Sequence, residues 1–167
     1  TLIALMPGSR RQEVVRHFPV MWEAACRLAA RRPVAAAIAV APTVPAALIR
    51  YHMKDPPPAL KTFLIEDEPS RHTMVAAADL ALVTTGTTTV ETMLLGTPMI
   101  AGYRLSALSY LIARCLAHVQ YCAMPNILAN ESVVPEFIQC RFTAAALSDE
   151  AEKILAADTL VFETAAQ

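Results

Sequence analysis

Five short apolar runs, each closed by Gly, Pro or an acidic turn and each followed by a helical pattern, limit what this chain can fold into. They are TLIALM (1–6), VAAAIAVA (34–41), KTFLIE (61–66), DLALV (79–83) and PMIAGY (98–103). Each is too short for a typical helix, and they are mostly continuous rather than alternating, the pattern of strands covered on both faces. Between them lie SRRQEVVRHF, with Ser9 and Gln12 spaced as a capping box, and PVMWEAACRLAARR, where Pro19 opens a second helical segment. VPAALIRYHM, SRHTMVAA with Ser70 as its cap, TTTVETMLLG ending near Gly96, and SALSYLIARCLAHV (106–119) complete the helical set. After these, YCAMPNILAN reads as a loop, VPEFIQ as a short helix started by Pro135, and the last 25 or so residues as a helix with a frayed tail. Strands alternating with helices give an α/β fold, a mostly parallel sheet in a Rossmann-like three-layer α/β/α arrangement.

The chain has 167 residues, one domain's worth, and a formal net charge of -1. That balance excludes the basic face expected of a nucleic-acid binder. Hydrophobic residues make up 55%, but much of this is alanine, and no run of about 18 apolar residues marks a membrane span. There is no signal-peptide pattern, and the chain starts with Thr1 directly on an apolar run, as expected of a fragment cut just before a domain begins. Cys26, Cys115, Cys122 and Cys140 form no C-x-x-C pair and read as free, mostly buried thiols of a reducing compartment. His17, His52, His72 and His118 are scattered and read as surface or half-buried residues, not ligands, and nothing in the sequence calls for a metal or cofactor.

In open parallel sheets ligands lie beyond the C-terminal strand ends. PGSR, EDEPSR, TTGTTT and GYR all fall at that rim. In MPGSRRQE, the turn at Gly8 and Ser9 leaves helix-start N–H groups for an anion and Arg10 adds a charge; a well-capped turn with a surface arginine accounts for it equally well. VTTGTTTVE carries more: five of its nine residues are threonines. Gly86 allows close backbone approach, Thr85 and Thr87 put hydroxyls beside a helix start, and Glu91 stands about one turn, roughly 5.4 Å, further in. Phosphates at the helix start and ribose hydroxyls on Glu91 fit that step; an ordinary cap explains one threonine but not the cluster. In MPNILANESVVPEFIQ, Asn126 reads as a turn residue, while Glu136 and Gln139, spaced i,i+3, share a helix face able to read sugar hydroxyls.

LMPGSRRQEV, TTGTTTVETMLLGTPMIAGYRLS and MPNILANESVVPEFIQ, in this order and spacing, resemble the C-terminal half of lipid-A-disaccharide synthase over roughly residues 1–145. The resemblance implies one half of a GT-B glycosyltransferase: residues 1–145 as the UDP-sugar (donor) domain, 146–167 as a helical tail, and an N-terminal acceptor domain, with the general base, outside this chain. It implies a hexosyltransferase of lipid A biosynthesis, moving a diacylglucosamine unit from a UDP-linked donor to a lipid X type acylated sugar phosphate and releasing UDP. Gly8, Ser9 and Arg10 match the family's turn near the donor diphosphate, with Arg10 stabilising the leaving group. Thr85, Gly86 and Thr87 match its Ser-Gly-Thr, Glu91 its ribose-holding glutamate, Asn126 its Pro-Asn loop, and Glu136 and Gln139 its cleft-facing helix. Thr85 departs from the usual serine, and Asn130 stands where glycine is common, a position Asn tolerates in a left-handed conformation. The resemblance implies no cofactor and a cytoplasmic enzyme, with peripheral contact at the inner face of the inner membrane and a homodimer left open. Another UDP-sugar enzyme, transferase or epimerase, and a non-catalytic nucleotide-binding or dimerisation module are the competing readings. The isolated chain is expected to be inactive.

Overall fold

The computed structural model describes residues 1–105 and 121–165, those from 158 onwards as backbone only. Six parallel strands form one sheet in the order β3-β2-β1-β4-β5-β6. They are β1 (Leu2–Met6), β2 (Ala35–Ala39), β3 (Lys61–Ile65), β4 (Leu80–Thr84), β5 (Met99–Tyr103) and β6 (Glu136–Ile138). The helices are α1 (Arg11–Ala29), α2 (Ala46–His52), α3 (Glu68–Ala76), α4 (Thr87–Leu94), α5 (Met124–Ala129) and α6 (Ala144–Ala165), with a 3-10 turn at Gln139–Arg141. This is the expected three-layer α/β fold, with its switch point between β1 and β4, where the chain's direction across the sheet reverses.

Alternation along each strand sorts the core into two faces. Ile3, Leu5, Ala36, Ile38, Leu80, Leu82 and Ile100 point toward α1, α2 and α6, where Phe18, Met21, Trp22, Leu28, Ile49, Phe142 and Leu147 meet them. Ala4, Ala37, Ala39, Ala81, Val83, Met99 and Ala101 point the other way, toward Met74 and Val75 of α3 and toward Ala123. α4 also packs on β4 and β5, through buried Thr89 and Thr92. Leu147, Ala151 and Leu155 place the first turns of α6 in the main core, against α1.

Several expectations change. Pro19 does not divide a helix: α1 runs unbroken over 19 residues. The ring costs the bond that residue 19 would donate to Val15, yet Val14, Phe18, Met21, Trp22, Ala25 and Leu28 bury one continuous stripe that holds the two halves in line. α3 starts earlier than Ser70, because the Asp67 carboxylate caps it by accepting from the Ser70 N–H at 2.9 Å. That contact holds the Asp67 carboxyl below its ordinary range. YCAMPNILAN contains helix α5, with Pro125 in its first turn, and VPEFIQ is β6 and the 3-10 turn rather than a helix. β3 is an edge strand with Phe63 exposed, not covered on both faces. His17 is fully buried, and among the described residues Cys122 and Cys140 are exposed while Cys26 is partly buried, so these three thiols are not interior. Asn130 does close α5 in the left-handed region (φ 53°). The segment 106–119 lies outside the described residues. Among the described residues no helix is long and apolar enough to cross a membrane.

Candidate functional site

A cleft of about 170 Å³ opens at the C-terminal ends of β1 and β2, on the alanine-rich face between α3 and α4. Its walls bring together Gly8 and Ser9 from the β1–α1 turn, Thr87, Thr88 and Glu91 from α4, and Glu68, Arg71 and His72 from α3, over a floor that includes Ala39 and Ala41. Four residues singled out in the sequence, Gly8, Ser9, Thr87 and Glu91, therefore meet in one place although up to 83 positions separate them.

The β1–α1 turn has a forced geometry. Gly8 has φ +112°, a conformation L side chains avoid, and a Cβ there would stand 2.7 Å from the Glu13 carboxylate. Glu13 folds back over the turn and accepts the N–H groups of Ser9 (3.1 Å) and Arg10 (3.2 Å). The helix-start donors expected to be open for an anion are thus held by an internal carboxylate, three residues after the cap at Arg10 and not in the Ser9–Gln12 pairing. Arg10 also pairs with Glu13 (3.0 Å), with its side chain 81% exposed, and it does not line the cleft. The Thr43 hydroxyl donates to the Ser9 carbonyl, tying the turn to the end of the β2 layer.

The threonine stretch separates into two jobs. Thr84 is buried and its hydroxyl donates to Met6 O (3.4 Å), joining the ends of β4 and β1 at the switch point. Thr89 donates to Gly86 O (2.7 Å) and Thr92 to Thr88 O (2.8 Å), both fully buried. Such back-bonding lets a hydroxyl sit in an apolar layer at little cost. Thr87 and Thr88 face the cleft instead. α4 has no side-chain cap; its N-cap is Gly86 at φ 130°, so the positive end of this helix, unlike that of α1, stays uncapped. Thr85 is half-buried and, like Gly86, is not part of the cleft wall. Glu91 lies on the wall, exposed.

The third block is tied into the fold by internal bonds. Asn126 is fully buried: its amide donates to Val134 O (2.8 Å) and Glu136 Oε1 (2.7 Å), and its Oδ1 accepts from the N–H groups of Val133 and Val134. All four of its bonds are therefore used inside the protein. Glu136 accepts from Cys122 N (2.9 Å), Ala123 N (2.8 Å) and Asn126. Gln139, at φ 56°, accepts Leu105 N–H at 2.7 Å. Asn126 and Glu136 border a separate cleft of about 320 Å³ with Arg141 and Glu150, away from Gly8 and Glu91. These three residues fasten the β5–β6 connection, and they do not share a helix face.

Arg71 and His72 were not singled out from the sequence. The signal available was Asp67: taken as the cap of α3, it puts Arg71 one turn into a helix rising from the EDEPSR rim. His17 was also missed. Arg104 N–H donates to its Nε2 (3.0 Å), so the proton sits on Nδ1, which faces Pro7 O at 3.3 Å. Burial lowers its pKa and keeps it neutral. It pins the Gly8 turn to the end of β5. Among the described residues no cluster of three His, Cys, Asp or Glu side chains is placed to hold a metal.

The profile of the lipid-A-disaccharide synthetase family matches residues 1–164. This chain belongs to that family. It is 44% identical over 141 residues to the lipid-A-disaccharide synthase of Syntrophus aciditrophicus, covering 83% of this chain and 36% of that protein. It is 39% identical over 157 residues to the one from Anaeromyxobacter dehalogenans, covering 93% and 40%. The chain thus spans well under half the length of these curated relatives. Among solved structures it resembles a candidate UDP-N-acetylglucosamine 2-epimerase from Listeria monocytogenes (TM-score 0.62, 13% identity, 95% of this chain and 37% of that one). It also resembles the spinosyn forosaminyltransferase SpnP (TM-score 0.53, 14% identity, 92% and 34%). At those identities the likeness is one of fold, the Rossmann-like half of a GT-B protein.

Proposed function

We propose that this chain is the donor-binding part, residues 1–145 followed by a helical tail, of a lipid-A-disaccharide synthase. The whole enzyme would transfer a diacylglucosamine unit from its UDP-linked donor to a lipid X type acceptor held by an N-terminal half. The observation that carries the reading is the cleft at the C-terminal ends of β1 and β2, between α3 and α4, where Glu91 stands one turn beyond the uncapped N-terminus of α4. In that arrangement the N–H groups and hydroxyls of Thr87 and Thr88 receive the diphosphate, and the Glu91 carboxylate accepts from the ribose hydroxyls. Displacement at the anomeric carbon is then a single inverting step, with negative charge growing on the departing UDP beside the positive end of α4. For Arg10 to share in that stabilisation its guanidinium must leave Glu13, 3.0 Å away. The reading carries with it a cytoplasmic enzyme that meets its lipid substrates at the inner membrane face.

Isothermal titration tests it. The chain alone binds UDP weakly and turns over nothing, and Glu91→Ala weakens UDP binding on the order of tenfold, the value of a hydrogen bond to a charged group. Equal UDP binding by both proteins sinks the ribose assignment.

A further inference from the structure

Arg71 is the cleft's own full cation, and its surroundings do not explain it. It lies in the first turn of α3, where its N–H bonds Asp67 O at 3.2 Å. A cation at that end of a helix opposes the macrodipole, so helix stability does not favour it. The side chain is 20% exposed, and its Nε is buried with no hydrogen-bond partner among the described residues. Its ion-pair partner is Glu68, whose Oε1 stands 3.7 Å from the guanidinium, beyond hydrogen-bonding distance, on a side chain 73% exposed. A guanidinium offers five donors in a rigid fork, and burying one without acceptors is costly. The other ionisable side chains on the cleft wall are Glu68, Glu91 and His72, so Arg71 is the guanidinium that this lining offers to a guest. Arg10, the other arginine near the turn, is held by Glu13 outside the lining.

We propose that Arg71 is a binding residue for the phosphate groups of the ligand, donating from its guanidinium to diphosphate oxygens across the cleft from Thr87 and Thr88. The inference rests on the cleft being a UDP site. A phosphate group offers acceptor oxygens to the guanidinium donors and pairs with its charge, which a base or a sugar does not do together. Glu68 is then a weak internal competitor that the phosphate displaces.

The test is titration of uridine, UMP and UDP into the wild-type chain, Arg71→Gln, Arg71→Lys and Glu68→Gln, with thermal melts of each. Arg71→Gln is expected to lose UDP affinity on the order of 10- to 100-fold while uridine stays within about twofold, Arg71→Lys recovering part of the loss. Glu68→Gln, an exposed change, is expected to tighten UDP about two- to fivefold with no change for uridine. Unchanged UDP affinity in Arg71→Gln, or an equal loss for uridine and UDP, overturns the phosphate role. Should Arg71→Gln fail to fold, Glu68→Gln decides, and unaltered UDP affinity there overturns it. A wild-type chain that binds no UDP removes the site reading and this inference together; UDP binding that Glu91→Ala weakens and Arg71→Gln spares removes only the inference.

Discussion

The two faces of the sheet are built from different side chains. Toward α1, α2 and α6 the strands present Ile3, Leu5, Ile38, Leu80, Leu82 and Ile100, and large groups such as Phe18, Met21, Trp22 and Phe142 fill the space above them. Toward α3 and α4 they present Ala4, Ala37, Ala39, Ala81 and Ala101. Apolar burial stabilises in proportion to area, and each fully buried Leu, Ile or Phe contributes roughly 1.5–3 kcal/mol against much less for alanine. The bulky face therefore carries most of the fold's stability. The alanine face gives up packing volume, and where its strands end the space between α3 and α4 is left open as the cleft. Stability and binding are in this way assigned to opposite sides of one sheet, which makes the division testable.

The largest expected effect is on the bulky face. Phe142 is fully buried, its ring abuts Gly102 so closely that a Cβ there would collide with it, and it stacks edge-on with His17 at 5.7 Å. Phe142→Ala leaves a cavity that this crowded layer cannot collapse into, at a cost of about 3–5 kcal/mol. Chemical denaturation measures it; a loss under about 1 kcal/mol would mean that the bulky face is not the main store of stability. On the opposite face Ala39→Leu reverses the roles. Ala39 is 7% exposed and lines the cleft, so the larger side chain overpacks at about 1–3 kcal/mol or enters the cleft. In either case UDP binding is expected to disappear while the protein stays folded at 25 °C; full UDP affinity in a folded Ala39→Leu protein would show that the ligand does not lie there.

A third prediction uses the residue that joins the two sides. His17 rises from α1 on the bulky face and holds Pro7 O and Arg104 N–H at the strand ends. Burial lowers its pKa from 6.5, and the Arg16 charge acts in the same direction, against the smaller raising effects of its backbone bonds to Pro7 and Arg104 and of Glu13. Because the folded value lies below the unfolded one, the unfolded chain binds more protons between them. The contribution of His17 is then complete above about pH 6.5 and declines as the pH falls through its folded value. Denaturation midpoints measured from pH 7.5 to 5 should fall in the wild type more steeply than in His17→Asn, which loses the titration; parallel curves would assign the acid sensitivity elsewhere.

The sequence disclosed local order better than long-range bonding. The five apolar runs and the Gly86 break were readable because each is a local pattern. Pro19 misled because its cost is local while its remedy, a buried stripe that runs past it from Val14 to Leu28, is tertiary. VPEFIQ misled because a three-residue strand is too short to show a period, and because Glu136 faces donors at Cys122, Ala123 and Asn126 that only folding brings to it. In the cleft, Gly8, Ser9, Thr87 and Glu91 were legible from turn chemistry at strand ends. Arg71 was not, since a cap at Ser70 makes it the helix's first residue rather than one a turn in, and only folding sets α3 against α4 across the cleft.

The smallest expected change is the one that separates binding from folding most cleanly. Glu91 is exposed, makes no ion pair among the described residues, and lies beyond the first turn of α4, where the helix dipole no longer rewards an acid. Replacing it with alanine, the better helix former, should move stability by no more than about 0.5 kcal/mol in either direction. The same substitution is expected to weaken UDP binding about tenfold, the value of a hydrogen bond to a charged group. Denaturation and titration on one preparation give both numbers. If Glu91→Ala instead costs as much stability as Ala39→Leu, the carboxylate is part of the packing on the alanine face and the two sides of the sheet are not divided as described. If stability holds and binding falls, the alanine face is a surface kept lightly packed so that α3 and α4 can stand apart around a ligand.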